Sequence, residues 1–167
     1  MPDPTPSDDR LHWEDFPVGS VHPFGSVTLT RETIVEFARQ FDPQPFHLDA
    51  QAASSSLFGA LCASGWQTCA LTMRMMCDAY LNRSVSLGSP GIDNLRWLKP
   101  VFAGDTLRGT MTVIEARPMA SRPQVGLVLQ RWEVVNQHDE PVMTMQGWGM
   151  LGRREPGATR QSPLQPG

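Results

Sequence analysis

The sequence predicts one α+β domain, an antiparallel sheet curled around a single long helix. Two observations carry this. The run Ser64–Leu81, SGWQTCALTMRMMCDAYL, has no proline and is apolar on most faces, as expected of a helix buried on nearly all sides. Four later segments read as strands: Ile92–Leu98, Thr106–Ala116, Val125–Asn136 and Val142–Leu151. The order and lengths of these elements suit a sheet that wraps the helix.

Taken in chain order, the first element is a short extended segment within His22–Thr30, where Val27 and Leu29 alternate with Ser26, Thr28 and Thr30. Thr30 then caps a helix whose apolar face carries Ile34, Phe37 and Ala38. That helix stops at Phe41-Asp42-Pro43, because a proline restricts the residue before it and cannot continue the turn. A loop braced by two prolines follows, Asp42-Pro43-Gln44-Pro45-Phe46-His47, and Asp49 caps a second short helix. Between the later strands lie turn signals at Ala103-Gly104-Asp105, Ser121-Arg122-Pro123 and Gln137-His138-Asp139-Glu140-Pro141. In β-like segments the alternation is plain: Leu107, Gly109, Met111 and Val113 stand against Arg108, Thr110 and Thr112.

Composition narrows the function. The chain has 167 residues, 40% of them hydrophobic, with a net charge of −3. Lys99 is the single lysine and the arginines are scattered, so there is no basic stripe for nucleic acid. No run approaches the ~20 apolar residues of a membrane span. The first residues lack the positive start and apolar core of a signal peptide, and a cytoplasmic location is expected. Cys62, Cys69 and Cys77 have neither disulfide nor zinc spacing and read as buried thiols. Residues 1–10 and 154–167, rich in proline and poor in apolar groups, read as disordered tails around one domain at 11–153.

Taken alone, Asp42 suits a turn closed before a proline, and His47 suits a hydrogen-bonded loop histidine. Ser64 is first a helix cap, and Gly65 serves equally as a packing glycine. Local strings give them another meaning. Glu14-Asp15-Phe16-Pro17-Val18-Gly19, Asp42-Pro43-Gln44-Pro45-Phe46-His47, Ala63-Ser64-Gly65, and Leu98-Lys99-Pro100-Val101 with Gly104-Asp105 follow one another in order. Together they resemble the MaoC-like dehydratase group, the (R)-specific enoyl-CoA hydratases of the hot-dog fold, over about residues 13–153. Gln44 stands where that group's D-x-N-P-x-H signature has Asn, and Ser64 stands where it often has His.

The resemblance implies a hydro-lyase that hydrates 2-enoyl-CoA or dehydrates β-hydroxyacyl-CoA. Its substrate is an acyl-CoA or acyl-carrier thioester; it needs no cofactor and no metal, and it forms at least a homodimer. It assigns catalysis to Asp42 and His47, and substrate or oxyanion contacts to Gly65, Ser64 and Gln44. The chemistry suits these types. Histidine moves protons near neutral pH, a carboxylate orients it or shares the proton, and a helix N-terminus offers free N–H groups to an enolate-like oxygen. Arg96, Lys99, Arg117 and Arg122 are candidates for coenzyme A phosphates. Two other readings stay open: a hot-dog thioesterase, for which the helix supplies only Asp78, and a non-catalytic acyl-thioester-binding subunit.

Overall fold

The computed structural model describes residues 9–156, so most of the expected tails lie outside the described residues. At the boundary, Arg154 is held by the Asp15 carboxylate at 2.7 Å.

Local signals build the helical half. In α1 (Arg31–Phe41) Thr30 and Thr33 cap reciprocally: each side-chain oxygen accepts the other's backbone N–H, at 3.2 and 3.1 Å. The Asp42 N–H closes the last turn on the Ala38 carbonyl at 2.9 Å, and Pro43 has no N–H to continue it. The next stretch departs from the expected loop. Pro45 sits in the first turn of a four-residue helix, α2 (Pro45–Leu48), where its fixed φ is an advantage and its missing N–H costs nothing. Asp49 then caps α3 (Ala50–Ser54), its Oδ1 accepting the Ala52 N–H at 2.8 Å. Ser64 caps the long α4 (Gly65–Ala79) by accepting the Trp66 N–H at 3.2 Å.

Among the described residues five strands form one antiparallel sheet: β1 (Val21–Thr28), β2 (Asp93–Trp97), β3 (Thr106–Met119), β4 (Arg122–Val135) and β5 (Pro141–Gly152). Their order is β1-β3-β4-β5-β2, which leaves β1 and β2 as edges. The alternation read in β3 holds, with Leu107, Gly109, Met111 and Val113 all buried. They pack with Ile34, Val128, Val134 and Met143 into one core. Gly104 turns into β3 at φ +95°, a conformation that glycine adopts without steric cost, and Asp105 Oδ2 locks that turn by accepting the Phe102 N–H at 2.8 Å. Among the described residues no helix is long and apolar enough to cross a membrane.

Helix α4 is less enclosed than its composition suggests. It packs on β1 and β3, and its end is pinned to β4 by Trp132 Nε1–H donating to the Tyr80 hydroxyl at 3.0 Å. The helix thus sits toward one side of the sheet. Its other flank is open: Trp66 is 59% exposed and Met73 47%. Gln67, Thr68 and Thr72 are buried instead. Periodicity reveals that a face is apolar, but not which neighbour covers it.

The N-terminal turn (Trp13–Asp15) lays the Trp13 indole on Gly126 of β4, where Trp13 Nε1–H donates to the Leu127 carbonyl at 3.1 Å. A methyl on Gly126 would meet the indole at 2.1 Å, and the anchored ring has no easy retreat. Gly126→Ala is therefore expected to cost about 1–3 kcal/mol, as overpacked cores do. The urea midpoint measures it, and an unchanged midpoint would show that the indole yields freely.

Candidate active site

Two helix ends meet at one corner. Asp42 is the residue on which α1 closes, and Ser64 is the residue from which α4 starts. The Ser64 hydroxyl donates to Asp42 Oδ2 at 2.6 Å while accepting the Trp66 N–H. The Gln44 amide donates to the other oxygen, Oδ1, at 2.7 Å. Burial raises the pKa of this carboxyl, but the bonds from Ser64 and Gln44, with the nearby His47, outweigh it and hold the group below its ordinary value. The positive end of α4 acts in the same direction.

His47 lies on α2 and is only 5% exposed. Its Nδ1 is 2.7 Å from the Cys62 carbonyl. A carbonyl only accepts, so Nδ1 donates to it, and the ring's other nitrogen, Nε2, faces the opposite way. There Asp42 Oδ2 lies at 3.4 Å, its side chain 17% exposed. Phe46 touches the ring edge-on at a centroid distance of 4.5 Å, and Phe58 lies 6.4 Å off in a stacked orientation. The imidazole is thus walled by aromatic rings.

Asp42, Gln44, His47, Ser64 and Gly65 all line one cavity of about 420 Å³. Every site residue expected from the sequence is in this wall, but three have different surroundings from those expected. Ser64 and Gln44 are spent on the Asp42 carboxylate. At Gly65 the missing side chain does not leave an opening, because a Cβ there would meet the Trp97 ring at 2.5 Å. Trp97 also donates its Nε1–H to the Gly65 carbonyl at 3.0 Å, so the glycine is a seat for an indole. Its N–H still belongs to the first turn of α4, whose leading N–H groups have no partner within the helix.

Of the four candidate phosphate cations, Lys99 alone lines this cavity, and it is paired with Glu140 at 2.5 Å. Asp78, the carboxylate a thioesterase reading requires, faces outward to Arg74 at 2.8 Å and has no part in the cavity. The sequence did not single out Trp97, Phe46, Phe58 or the Cys62 carbonyl. A backbone acceptor leaves no side-chain signal, and Trp97 arrives from a strand far along the chain. Phe46 stood inside the quoted motif and was the one legible signal. Among the described residues no cluster of three His, Cys, Asp or Glu side chains is placed to hold a metal.

A long helix cradled by a five-stranded antiparallel sheet, with an Asp–His pair at the helix's N-terminal corner, defines a hot-dog protein of the dehydratase kind. The family model described as MaoC like domain matches residues 17–134, and the chain belongs to that family. It is similar to a MaoC-like dehydratase from Rhodospirillum rubrum, at 37% identity and a TM-score of 0.81, covering 87% of this chain and 99% of that one. It is 26% identical over 129 residues to the uncharacterized protein YdeM of Bacillus subtilis, 77% of this chain and 90% of that protein. It is 39% identical over 90 residues to the mesaconyl-CoA hydratase of Cereibacter sphaeroides, 53% of this chain but only 25% of that enzyme.

The depressed pKa of Asp42 makes a stability prediction. A carboxyl held below its unfolded value stabilises the fold fully above the ordinary carboxylate range, and that contribution is lost as pH falls through the folded value. Ser64→Ala removes the bond to Oδ2 and is expected to cost about 1–3 kcal/mol at neutral pH. It is also expected to shrink the acid-side loss of stability below about pH 5. Urea midpoints of both proteins across that range test this; parallel curves would mean that Ser64 acts only as a helix cap.

Proposed function

We propose that the chain is a hydro-lyase that reversibly adds water across the 2,3-double bond of an acyl thioester. The observation that carries this reading is the 3.4 Å approach of His47 Nε2 to Asp42 Oδ2, at the mouth of α4 and inside a cavity large enough for the reacting end of a thioester. A single water on the cavity side of the pair, within reach of both Nε2 and Oδ2, donates one hydrogen to the lone pair of a neutral His47 and the other to the ionised carboxylate. His47 takes one proton from the water, and Asp42 accepts a hydrogen bond from the other hydrogen and so orients the attack. The oxygen bonds to C3, the π electrons move toward the thioester oxygen, and the enolate-like charge lies at the Gly65 N–H. His47 then returns its proton to C2. Water is consumed, its two parts end on adjacent carbons, and no other reactant is needed.

Family membership and the similarity to a mesaconyl-CoA hydratase support this class of chemistry. In this reading Gln44 and Ser64 do not touch substrate; they keep Asp42 charged and aimed, so that His47 is the base. The outward placement of Asp78 weighs against thioester hydrolysis. Two copies are read as pairing along the free edge of β2, where Trp97 and Leu98 are exposed and unpaired backbone would otherwise invite aggregation. Light scattering is expected to give twice the chain mass, and a monomer would remove the pairing.

His47→Ala and Asp42→Asn are each expected to lower turnover by at least ~100-fold, the scale of lost acid–base assistance. Crotonyl-CoA provides the measurement: its conjugated absorbance falls reversibly without release of free thiol. Turnover near normal in either variant would refute the assignment, and thiol release would indicate hydrolysis instead.

A further inference from the structure

Helix α4 buries two threonines one turn apart, and their hydroxyls are used differently. Thr72 donates its hydroxyl to the Thr68 carbonyl at 2.8 Å, a bond that a threonine inside a helix commonly makes. Thr68 is 2% exposed, and the matching carbonyl one turn back, that of Ser64, receives the Thr68 N–H at 3.2 Å instead. Among the described residues the Thr68 hydroxyl has no hydrogen-bond partner. A buried hydroxyl left unpaired costs free energy, so one that persists calls for a partner from outside the chain. Beside Thr68 lies the Asp42–His47 cavity, whose wall it shares with Ser64, Gly65 and Trp66.

We infer that the Thr68 hydroxyl donates to the thioester carbonyl oxygen, as a second donor beside the Gly65 N–H. This rests on the reading of the cavity as a thioester site, and it adds a catalytic residue beyond Asp42 and His47. A side chain on a helix lies over the turn that precedes its own Cα. For Thr68 that turn begins at Ser64 and Gly65, whose leading N–H groups have no acceptor within the helix. The other hydroxyl of this turn is committed, since Ser64 donates to Asp42 and accepts the Trp66 N–H. Lys99, in the same wall, is engaged by Glu140. A carbonyl oxygen has two lone pairs; the Gly65 N–H meets one, and the Thr68 hydroxyl meets the other. The hydroxyl keeps its proton throughout. Its bond strengthens as charge moves onto the oxygen, so the transition state gains more than the bound substrate does.

Two substitutions test this. Thr68→Val puts a methyl in the place of the hydroxyl, and Thr68→Ser keeps the hydroxyl. With crotonyl-CoA, Thr68→Val is expected to lower kcat by about 100-fold and to change KM by less than about threefold, while Thr68→Ser stays within about fivefold of the unaltered chain. The urea midpoint of Thr68→Val is expected to equal or exceed that of the unaltered chain, because no internal hydrogen bond is lost. A kcat unmoved by Thr68→Val, or a lowered midpoint that makes the hydroxyl a structural group, would overturn the inference. A second readout needs no turnover: the infrared carbonyl stretch of bound butanoyl-CoA, labelled with carbon-13 at its carbonyl. Hydrogen bonds lower that frequency, and the lowering on binding is expected to shrink by about half in Thr68→Val, which loses one of two donors, and to persist in Thr68→Ser. That result supports the donor even if no enoyl thioester is hydrated. Equal frequencies in Thr68→Val and the unaltered chain overturn it whatever the turnover.

Discussion

One hydrogen bond joins the helical half of this protein to its chemistry: the Ser64 hydroxyl donating to Asp42 at 2.6 Å. Ser64 is the cap from which α4 winds, and Asp42 is the residue on which α1 closes. Fixing one fixes the other. With a single hydroxyl the chain satisfies an orphan N–H of the buried helix, joins two helix ends and anchors a carboxylate that burial would otherwise discharge. A histidine in the place of Ser64 would supply a ring nitrogen but not this compact double role.

The electrostatics follow from that anchor. Removing a carboxylate from water favours its protonated form, and here desolvation is the largest influence on Asp42. Two donors, one on each oxygen, reverse the balance. Across the gap, the Cys62 carbonyl commits His47 Nδ1 and thereby selects which nitrogen faces the cavity. The carboxylate oxygen and the Nε2 nitrogen are thus placed together, 3.4 Å apart. In the hydratase reading proposed above the neutral ring and the ionised carboxylate both accept, so a water on the cavity side donates to both.

Much of this was legible in the chain because the signals are local. Asp42, Gln44 and His47 fall within one short motif, and the caps at Thr30, Asp49 and Ser64 are readable from residue type and position. The helical turn at Pro45 was read as loop, because a proline suits a first helical turn as well as a loop and residue type does not choose between them. Gly65 was placed correctly but for an incomplete reason: sequence shows a missing side chain without showing what fills its place. Trp97 depends on how β2 pairs with β5, and the Cys62 contact is made by backbone. Both are consequences of tertiary register, which no local pattern encodes.

The same limit explains the long helix. Its composition is apolar nearly all round, yet the sheet covers it unevenly, because α4 leans on β1 and β3. Had the helix been centred, Trp66 and Met73 would be core residues and the cavity they line with Met145 and Trp148 would be closed. The lean converts core-forming residues into cavity walls at no cost in polarity. It also divides the helix by function along its length. The N-terminal turn presents N–H groups and the cap that holds the Asp42 carboxylate, and the next two turns line the open flank with the sulfur of Cys69, Met73 and Met76.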